Sequence, residues 1–228
     1  MNLTTIQLVS VWILPVLFAI TIHEVAHARV AYYFGDESVK LAGRLSLNPF
    51  KHIELLGTIL IPLIMVLVVG FAIGWAKPVM IDIRKLRNPD KNIPWIALAG
   101  PMSNFVMAIM WALVLRLIFE MDVRPEWVLF LVYMSIAGVL INSILMVFNL
   151  LPIPPLDGSK VIMPFLPKNF ARIYASFSPY GFYLIIALML LGLLGIILNP
   201  LINNILTLLI NLSGFPSSVF AGFIQSLN

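Results

Sequence analysis

Hydrophobic residues form long runs along the chain, and short polar loops separate them. The first run covers residues 6–34, and roughly 20 apolar residues are enough to cross the hydrocarbon core of a bilayer. Further runs cover residues 93–119, 127–151, 179–198 and 201–212, with a break at Asn199-Pro200 between the last two. This pattern predicts an all-α polytopic membrane protein with five or six transmembrane helices and its amino terminus outside.

Two stretches depart from the simple pattern of spans and loops. Residues 39–47 alternate roughly with a period of two, which predicts a short β-hairpin at the membrane surface. The apolar run 53–76 has basic loops on both sides, and loops rich in Lys and Arg are usually cytoplasmic. Both of its ends are therefore expected on one side, which favours a re-entrant or broken element near the active site over a full span.

The composition supports a membrane protein. Hydrophobic residues make up 61% of the chain and charged residues 11%, whereas an average soluble domain has about 25% charged residues. We therefore expect residues 1–228 to form a single intramembrane domain with the lipid bilayer as its surroundings. The net charge of +4 comes from loop Lys and Arg residues, as the positive-inside rule expects, and predicts no nucleic-acid partner. The chain has no cysteine, so any zinc would be held by His and carboxylate.

The first apolar run contains the motif His23-Glu-Val-Ala-His27. Ionisable residues inside a membrane helix are costly, which makes them candidates for function. Two His four residues apart lie on one helix face and suit a single zinc ion, with Glu24 as the general base of a metalloprotease. Glu24 is about 100° around the helix axis, so it cannot easily be a third ligand with both His, but it can reach a water molecule at the metal.

A zinc protease needs a third protein ligand and an open fourth position. The remaining acids are nearly all in loops, and the exception is Asp157, which follows a long span and a run of prolines. Asp157-Gly158 is also typical of a tight turn at a helix start, and both interpretations can hold together. Asn149 precedes Asp157 by eight residues and is a candidate for stabilising an oxyanion or holding the substrate backbone.

Four segments together resemble the site-2 protease family of intramembrane zinc metalloproteases. They are His23-Glu-Val-Ala-His27, Gly43-Arg-Leu-Ser-Leu-Asn-Pro49, Ala99-Gly-Pro-Met-Ser-Asn104, and Asn149 with Leu156-Asp157-Gly158. The resemblance implies that His23, His27 and Asp157 bind one Zn²⁺ ion and that Glu24 is the catalytic base. It also matches Asn149 to an asparagine that the family has upstream of its aspartate. The chain looks like a minimal form, without a PDZ or nucleotide-sensing CBS domain.

The resemblance further implies regulated intramembrane proteolysis. The expected substrate is a membrane protein with a single transmembrane helix, already cleaved by another protease. We expect a multi-pass protein of a prokaryotic cell membrane, with its active site toward the cytoplasmic side. A proton-coupled or metal-ion transporter remains the alternative, because intramembrane His, Glu and Asp also mark ion pathways. Many transporters contain paired repeats, and this sequence shows no such duplication.

Overall fold

A computed structural model of the protein describes residues 4–52, 54, 57, 60, 77, 79–121, 126–217 and 220–222. Within these residues the chain forms helices joined by turns, and none of them is in a β-strand. Five stretches are long and apolar enough to cross a membrane: Ile6–Tyr33, Pro89–Phe119, Trp127–Asn149, Lys168–Leu190 and Leu193–Ser213. The predicted all-α architecture is therefore confirmed for the described residues, with five candidate membrane-spanning helices.

The first long helix, α1, covers Thr5–Tyr33. It begins with a capping box, in which the Gln7 amide donates to Thr4 Oγ1 at 3.4 Å and the Thr4 amide donates to Gln7 Oε1 at 2.9 Å. It ends where the chain reaches Gly35, whose positive φ of 113° is a conformation that residues with a side chain rarely adopt. The His-Glu-x-x-His motif, residues 23–27, therefore lies within the helix and ahead of its carboxy-terminal end at Tyr33.

The predicted β-hairpin over residues 39–47 is wrong. A one-turn helix, α2, covers Ser38–Leu41, and a turn through Gly43 with φ 69° follows it. The buried Asp36 carboxylate starts this helical turn by accepting a hydrogen bond from the Ser38 amide at 3.0 Å. Val39 is fully buried against α1, whereas Leu41 is 85% exposed, so the alternation reflects one helical turn rather than the two faces of a strand.

The apolar run 53–76, predicted as a re-entrant or broken element, lies outside the described residues except at 54, 57 and 60. The residues at its ends are described, and they meet: the Lys77 amide donates to the His52 carbonyl at 2.9 Å. The two flanks are therefore on the same side of the protein, as their basic loops predict. The course of the chain between them remains a prediction.

The centre of the protein is a bundle of three long helices. Helix α3 covers Pro89–Phe119, begins at the side-chain cap of Asn88 and contains Pro94 and Pro101. Helix α4 covers Glu126–Asn149. Helices α1, α3 and α4 pack against one another in every pairwise combination. The buried positions between them include several small or polar side chains, such as Ala108, Ala112 and Ser143, which allow close approach of membrane helices.

A short α-helix and three longer α-helices follow α4 along the chain. The proline-containing segment after α4 leads into α5, Asp157–Ile162, and then into α6, Lys168–Ser176, α7, Gly181–Leu190, and α8, Leu193–Ser213. The predicted break at Asn199-Pro200 is wrong, because α8 continues through Pro200. The chain instead breaks at Gly192, whose positive φ of 71° ends α7.

Residues 79–87, which include the 3₁₀ turn Ile83–Lys85, cross back over the carboxy-terminal half of α1, and we call them the return segment. Its Asp82 amide donates to the fully buried Asp36 carboxylate at 2.8 Å, and its Arg87 amide donates to the Phe34 carbonyl at 3.1 Å. Its first residue, Val79, reaches the level of the motif in α1. The return segment therefore connects the surface end of α1 with its buried polar residues.

Candidate metal centre

Helix α1 presents His23 and His27 on one face, one turn apart. Their Nε2 atoms are 3.0 Å from each other, and the imidazole planes are nearly perpendicular at 86°. Each residue is only 7% exposed. A helical spacing of four residues thus brings both ring nitrogens to a common point inside the bundle.

Asp157 completes this group from the start of α5. Its Oδ2 atom is 3.2 Å from His23 Nε2 and 3.1 Å from His27 Nε2, and its Oδ1 atom is 3.2 Å from Lys160 Nζ. Gly158 permits the position of this turn, because a Cβ atom there would be 2.2 Å from the Leu150 carbonyl oxygen. The first turn of α5 can therefore pack directly against the end of α4, with the carboxylate facing α1.

The opposite nitrogen of each imidazole is also bonded. His27 Nδ1 is 2.6 Å from the Ile96 carbonyl oxygen, which can only accept, so Nδ1 carries the proton. His23 Nδ1 is 2.6 Å from Asn104 Oδ1, a contact that gives the same assignment. Both Nε2 atoms of neutral rings then present lone pairs to each other and to the Asp157 oxygen.

Three acceptors facing one another need a cation between them. Three ligands bonded to one tetrahedral zinc at 2.0–2.1 Å lie about 3.4 Å apart, and the distances here are 3.0–3.2 Å. Among the described residues, His23, His27 and Asp157 are the group whose ligand atoms could hold a metal ion. The donor set of two imidazoles and one carboxylate fits zinc with a fourth position left open.

The electrostatics of Asp157 suit a metal ligand. Burial alone would raise the pKa of this carboxyl group, but when the imidazoles are protonated, hydrogen bonds from His23 and His27 and the positive charges of His27 and Lys160 outweigh that effect. The pKa of Asp157 therefore lies well below its ordinary value. The carboxylate stays ionised at every pH at which imidazole can bind a metal.

Glu24 lies outside the group of His23, His27 and Asp157, which we call the ligand group. Its Oε2 atom accepts a hydrogen bond from the Val79 amide of the return segment at 3.0 Å. The side chain is half-buried and lines a cavity of about 690 Å³, together with both histidines and Asp157. Glu24 is thus placed beside the ligand group and next to space that a substrate or water can enter.

Asn149 lines the same cavity from the last residue of α4. Its Nδ2 atom donates to the Leu145 carbonyl oxygen of its own helix at 2.9 Å. The structure therefore places Asn149 on the cavity wall and outside the ligand group. The sequence predicts close helix packing and one interhelical hydrogen bond at Asn104, but it does not reveal that His23 is the partner. The available signal was an amide side chain near the middle of a long apolar run.

Comparison with known proteins identifies relatives that match most of the chain. No protein-family model matches it, and no solved structure was found to match. "Putative zinc metalloprotease YwhC" of Bacillus subtilis is 35% identical over 200 residues, which cover 87% of this chain and 88% of that protein. "Putative zinc metalloprotease Rip2" of Mycolicibacterium smegmatis is 29% identical over 189 residues, which cover 80% of this chain and 68% of that protein.

An archaeal protein shares a shorter region. "Putative zinc metalloprotease MJ0611" of Methanocaldococcus jannaschii is 42% identical over 74 residues, or 32% of this chain and 35% of that protein. All three names specify zinc and proteolysis, which favours the metalloprotease over the transporter that the sequence left open. Because the 35% identity to the Bacillus protein extends over most of both chains, the protein belongs to the site-2 protease family of zinc metalloproteases.

Proposed function

We propose that the protein is an intramembrane zinc endopeptidase, in which His23, His27 and Asp157 bind one zinc ion and Glu24 is the catalytic base. One observation carries the proposal: three buried acceptor atoms face one another at 3.0–3.2 Å, beside a carboxylate that lines the same cavity. Zinc, when bound, supplies a Lewis acid that polarises the scissile carbonyl and lowers the pKa of water toward about 7.

Glu24 performs the proton transfers in this proposal. It is next to His23 in the chain, so its carboxylate stays close to the ligand group without competing for the metal. The hydrogen bond from the Val79 amide holds it at the cavity wall. From there the carboxylate takes a proton from the attacking water and later gives it to the leaving amine. This placement agrees with the role that the family resemblance implies.

Asn149 is proposed to hold the substrate or its developing oxyanion. A side-chain amide has two N–H donors, and the Leu145 carbonyl takes one of them. Because Asn149 lines the cavity with Glu24 and Asp157, a donor there can reach a peptide carbonyl bound between them. The role is therefore positioning of the substrate rather than binding of the metal.

The proposed substrate is a transmembrane segment of a membrane protein with a single span, cleaved beforehand by another protease. Family resemblance supports this assignment, as does the position of the ligand group below the end of an apolar helix. His23 precedes Gly35 by 12 residues, or about 18 Å of helix. The substrate helix must unwind at that depth, because a helical peptide bond is shielded and hydrogen-bonded.

We place the active site toward the cytoplasmic side of a prokaryotic cell membrane. The return segment contains Arg84, Lys85 and Arg87 at the end of α1 nearest the site, and the opposite end of α3 carries Glu120. Basic loops are usually cytoplasmic. The named relatives come from bacteria and an archaeon. Residues 1–228 form one functional domain in this proposal.

The test is the isosteric substitution Glu24→Gln in the full chain, purified and reconstituted with a single-span reporter protein. We expect about one zinc per protein, as in the wild type, and a rate of peptide cleavage reduced about 10²- to 10⁴-fold. Glu120→Gln is the matched control, because Glu120 is exposed and paired with Arg116 at 3.0 Å. Cleavage by Glu24→Gln at the wild-type rate, or a folded wild type without zinc, would contradict the proposal.

A further inference from the structure

We propose that Asn104, itself oriented by Asn142, is a positioning residue that fixes the proton of His23 on Nδ1 and leaves Nε2 free for the metal. The inference deepens the proposed function and rests on it, because it concerns how one of the proposed zinc ligands is held. It starts from a continuous row of hydrogen bonds that crosses the bundle from α4 through α3 to α1.

The donors and acceptors in this row of hydrogen bonds are fixed, because it begins at the Gly138 carbonyl, which can only accept. Asn142 Nδ2 donates to the Gly138 carbonyl at 2.8 Å, so Asn142 Oδ1 is turned toward α3. Asn104 Nδ2 donates to that oxygen at 2.9 Å and to the Ala19 carbonyl at 3.2 Å. Both donors of the Asn104 amide are then used, and its orientation is fixed.

The oxygen atom of the Asn104 amide determines which ring nitrogen of His23 carries the proton. Asn104 Oδ1 is 2.6 Å from His23 Nδ1, and a carbonyl oxygen can only accept, so the ring nitrogen donates. A neutral imidazole has one N–H, which leaves a lone pair on Nε2. Asn104 and Asn142 are both fully buried, so water does not offer the ring another partner at this position.

The two proposed imidazole ligands differ in how they are held. His27 is oriented by the Ile96 carbonyl, a main-chain group that side-chain substitution does not remove. His23 is oriented by the side chain of Asn104, which is itself fixed by the side chain of Asn142. Partners of this kind orient metal-binding histidines, and their loss costs about 10- to 100-fold in metal affinity. Substitution of Asn104 or Asn142 can therefore change the orientation of His23 while the His23 side chain itself is kept.

Three variants of the full-length protein test the inference, with zinc alone as the probe. Asn104→Leu removes the acceptor and both donors, whereas Asn104→Asp keeps an acceptor for His23 but loses the donors to Asn142 and Ala19. Asn142→Leu breaks the row one step earlier. Ser143→Ala is the control, because Ser143 is equally buried on α4 and its hydroxyl, within the described part of the chain, bonds to the Val139 carbonyl of its own helix at 2.7 Å.

Zinc affinity is measured by competition with a chromophoric chelator, and thermal unfolding is measured on the same samples. We expect Asn104→Leu to weaken zinc binding about 10- to 100-fold and Asn142→Leu about 3- to 10-fold. Asn104→Asp should lower the unfolding temperature as Asn104→Leu does, yet keep zinc affinity within about threefold of the wild type. Nitrogen-15 shifts of His23 should report a protonated Nδ1 in the wild type and a mixture of tautomers in Asn104→Leu.

The outcomes separate this inference from the proposed function. Wild-type zinc binding with an unchanged affinity in folded Asn104→Leu would overturn the positioning role alone. Equal losses of zinc affinity in Asn104→Asp and Asn104→Leu would also overturn it, since a purely structural role affects both alike. If Asn104→Leu does not fold, an unchanged affinity in Asn142→Leu has the same consequence. A wild type that binds no zinc would overturn the proposed function as well.

Discussion

Gly100 provides the sharpest test of the metal centre, because it faces both histidines without being a ligand. A Cβ atom built on Gly100 would be 2.3 Å from His27 Nε2 and 2.6 Å from His23 Nε2. An ordinary contact between carbon and nitrogen is about 3.5 Å. The single methyl group of Gly100→Ala would therefore overlap each ligand atom by about 1 Å.

The histidines cannot move away without losing their other contacts. Each Nδ1 atom is held at 2.6 Å by an acceptor on α3, the same helix that carries Gly100. Overpacking of this kind costs about 1–3 kcal/mol, and a metal site tolerates displacements of about 0.2 Å. We therefore expect Gly100→Ala to weaken zinc binding at least about 100-fold, which corresponds to about 2.8 kcal/mol.

The assay is zinc binding to the purified full-length protein, measured by chelator competition, with the circular dichroism spectrum as a check of folding. Alanine favours a helix over glycine by about 1 kcal/mol, so weakening of α3 itself cannot explain a loss of zinc. Gly195→Ala is the control, because its Cβ atom would meet Asn199 Nδ2 at an ordinary 3.6 Å. One zinc bound to Gly100→Ala with an affinity within about threefold of wild type would refute the reasoning.

Three further predictions concern the cavity, the loops and the metal. Asn149→Ala should reduce kcat about 10- to 100-fold in the reporter cleavage assay with zinc content unchanged; an unchanged kcat would argue against a substrate contact. Asp36→Ala leaves the amides of Ser38 and Asp82 without their acceptor, so it should lower the free energy of unfolding by about 2–4 kcal/mol in denaturant titrations. The control Glu120→Ala, at an exposed position, should lower it by less than about 1 kcal/mol. Removing zinc with a chelator should lower the melting temperature, and zinc added at 100 times its Kd should raise the free energy of unfolding by about 2.7 kcal/mol. An unchanged melting temperature would contradict a ligand group that holds α1 against α5.

The hydrophobic pattern predicted the long helices well, because lipid leaves the backbone few alternatives. In a bilayer every buried amide must be paired within the protein, and long apolar runs satisfy this requirement as helices. The pattern failed at the surface, where this constraint is absent. Residues 39–47 alternate as a strand does, yet the Asp36 carboxylate starts a helical turn there by binding the Ser38 amide. The pattern also failed inside one apolar run, where Pro200 remains within a helix and the chain turns at Gly192 instead.

The two histidines, Glu24 and Asp157 were identified as candidates from residue type and spacing, and the structure brings the three proposed ligands together. Spacing is informative for His23 and His27 because one helix fixes both. Asp157 is 130 residues from His27 in the chain, so only its position after a span and a proline run pointed to it. The contact of Glu24 with Val79 was not predictable, since an irregular segment has no periodicity that would reveal where it packs.

Residues that bind no metal decide whether the three ligand atoms meet. Gly100 lets α3 approach the imidazoles, and Gly158 lets the first turn of α5 approach the end of α4. From the sequence, neither glycine indicates a role at the metal centre, because glycine has no side chain whose chemistry would reveal one. A side chain at either position would separate helices whose contact forms the ligand group. It follows that a chain with His23, His27 and Asp157 intact can still lose the proposed metal centre through a substitution in α3 or α5 alone.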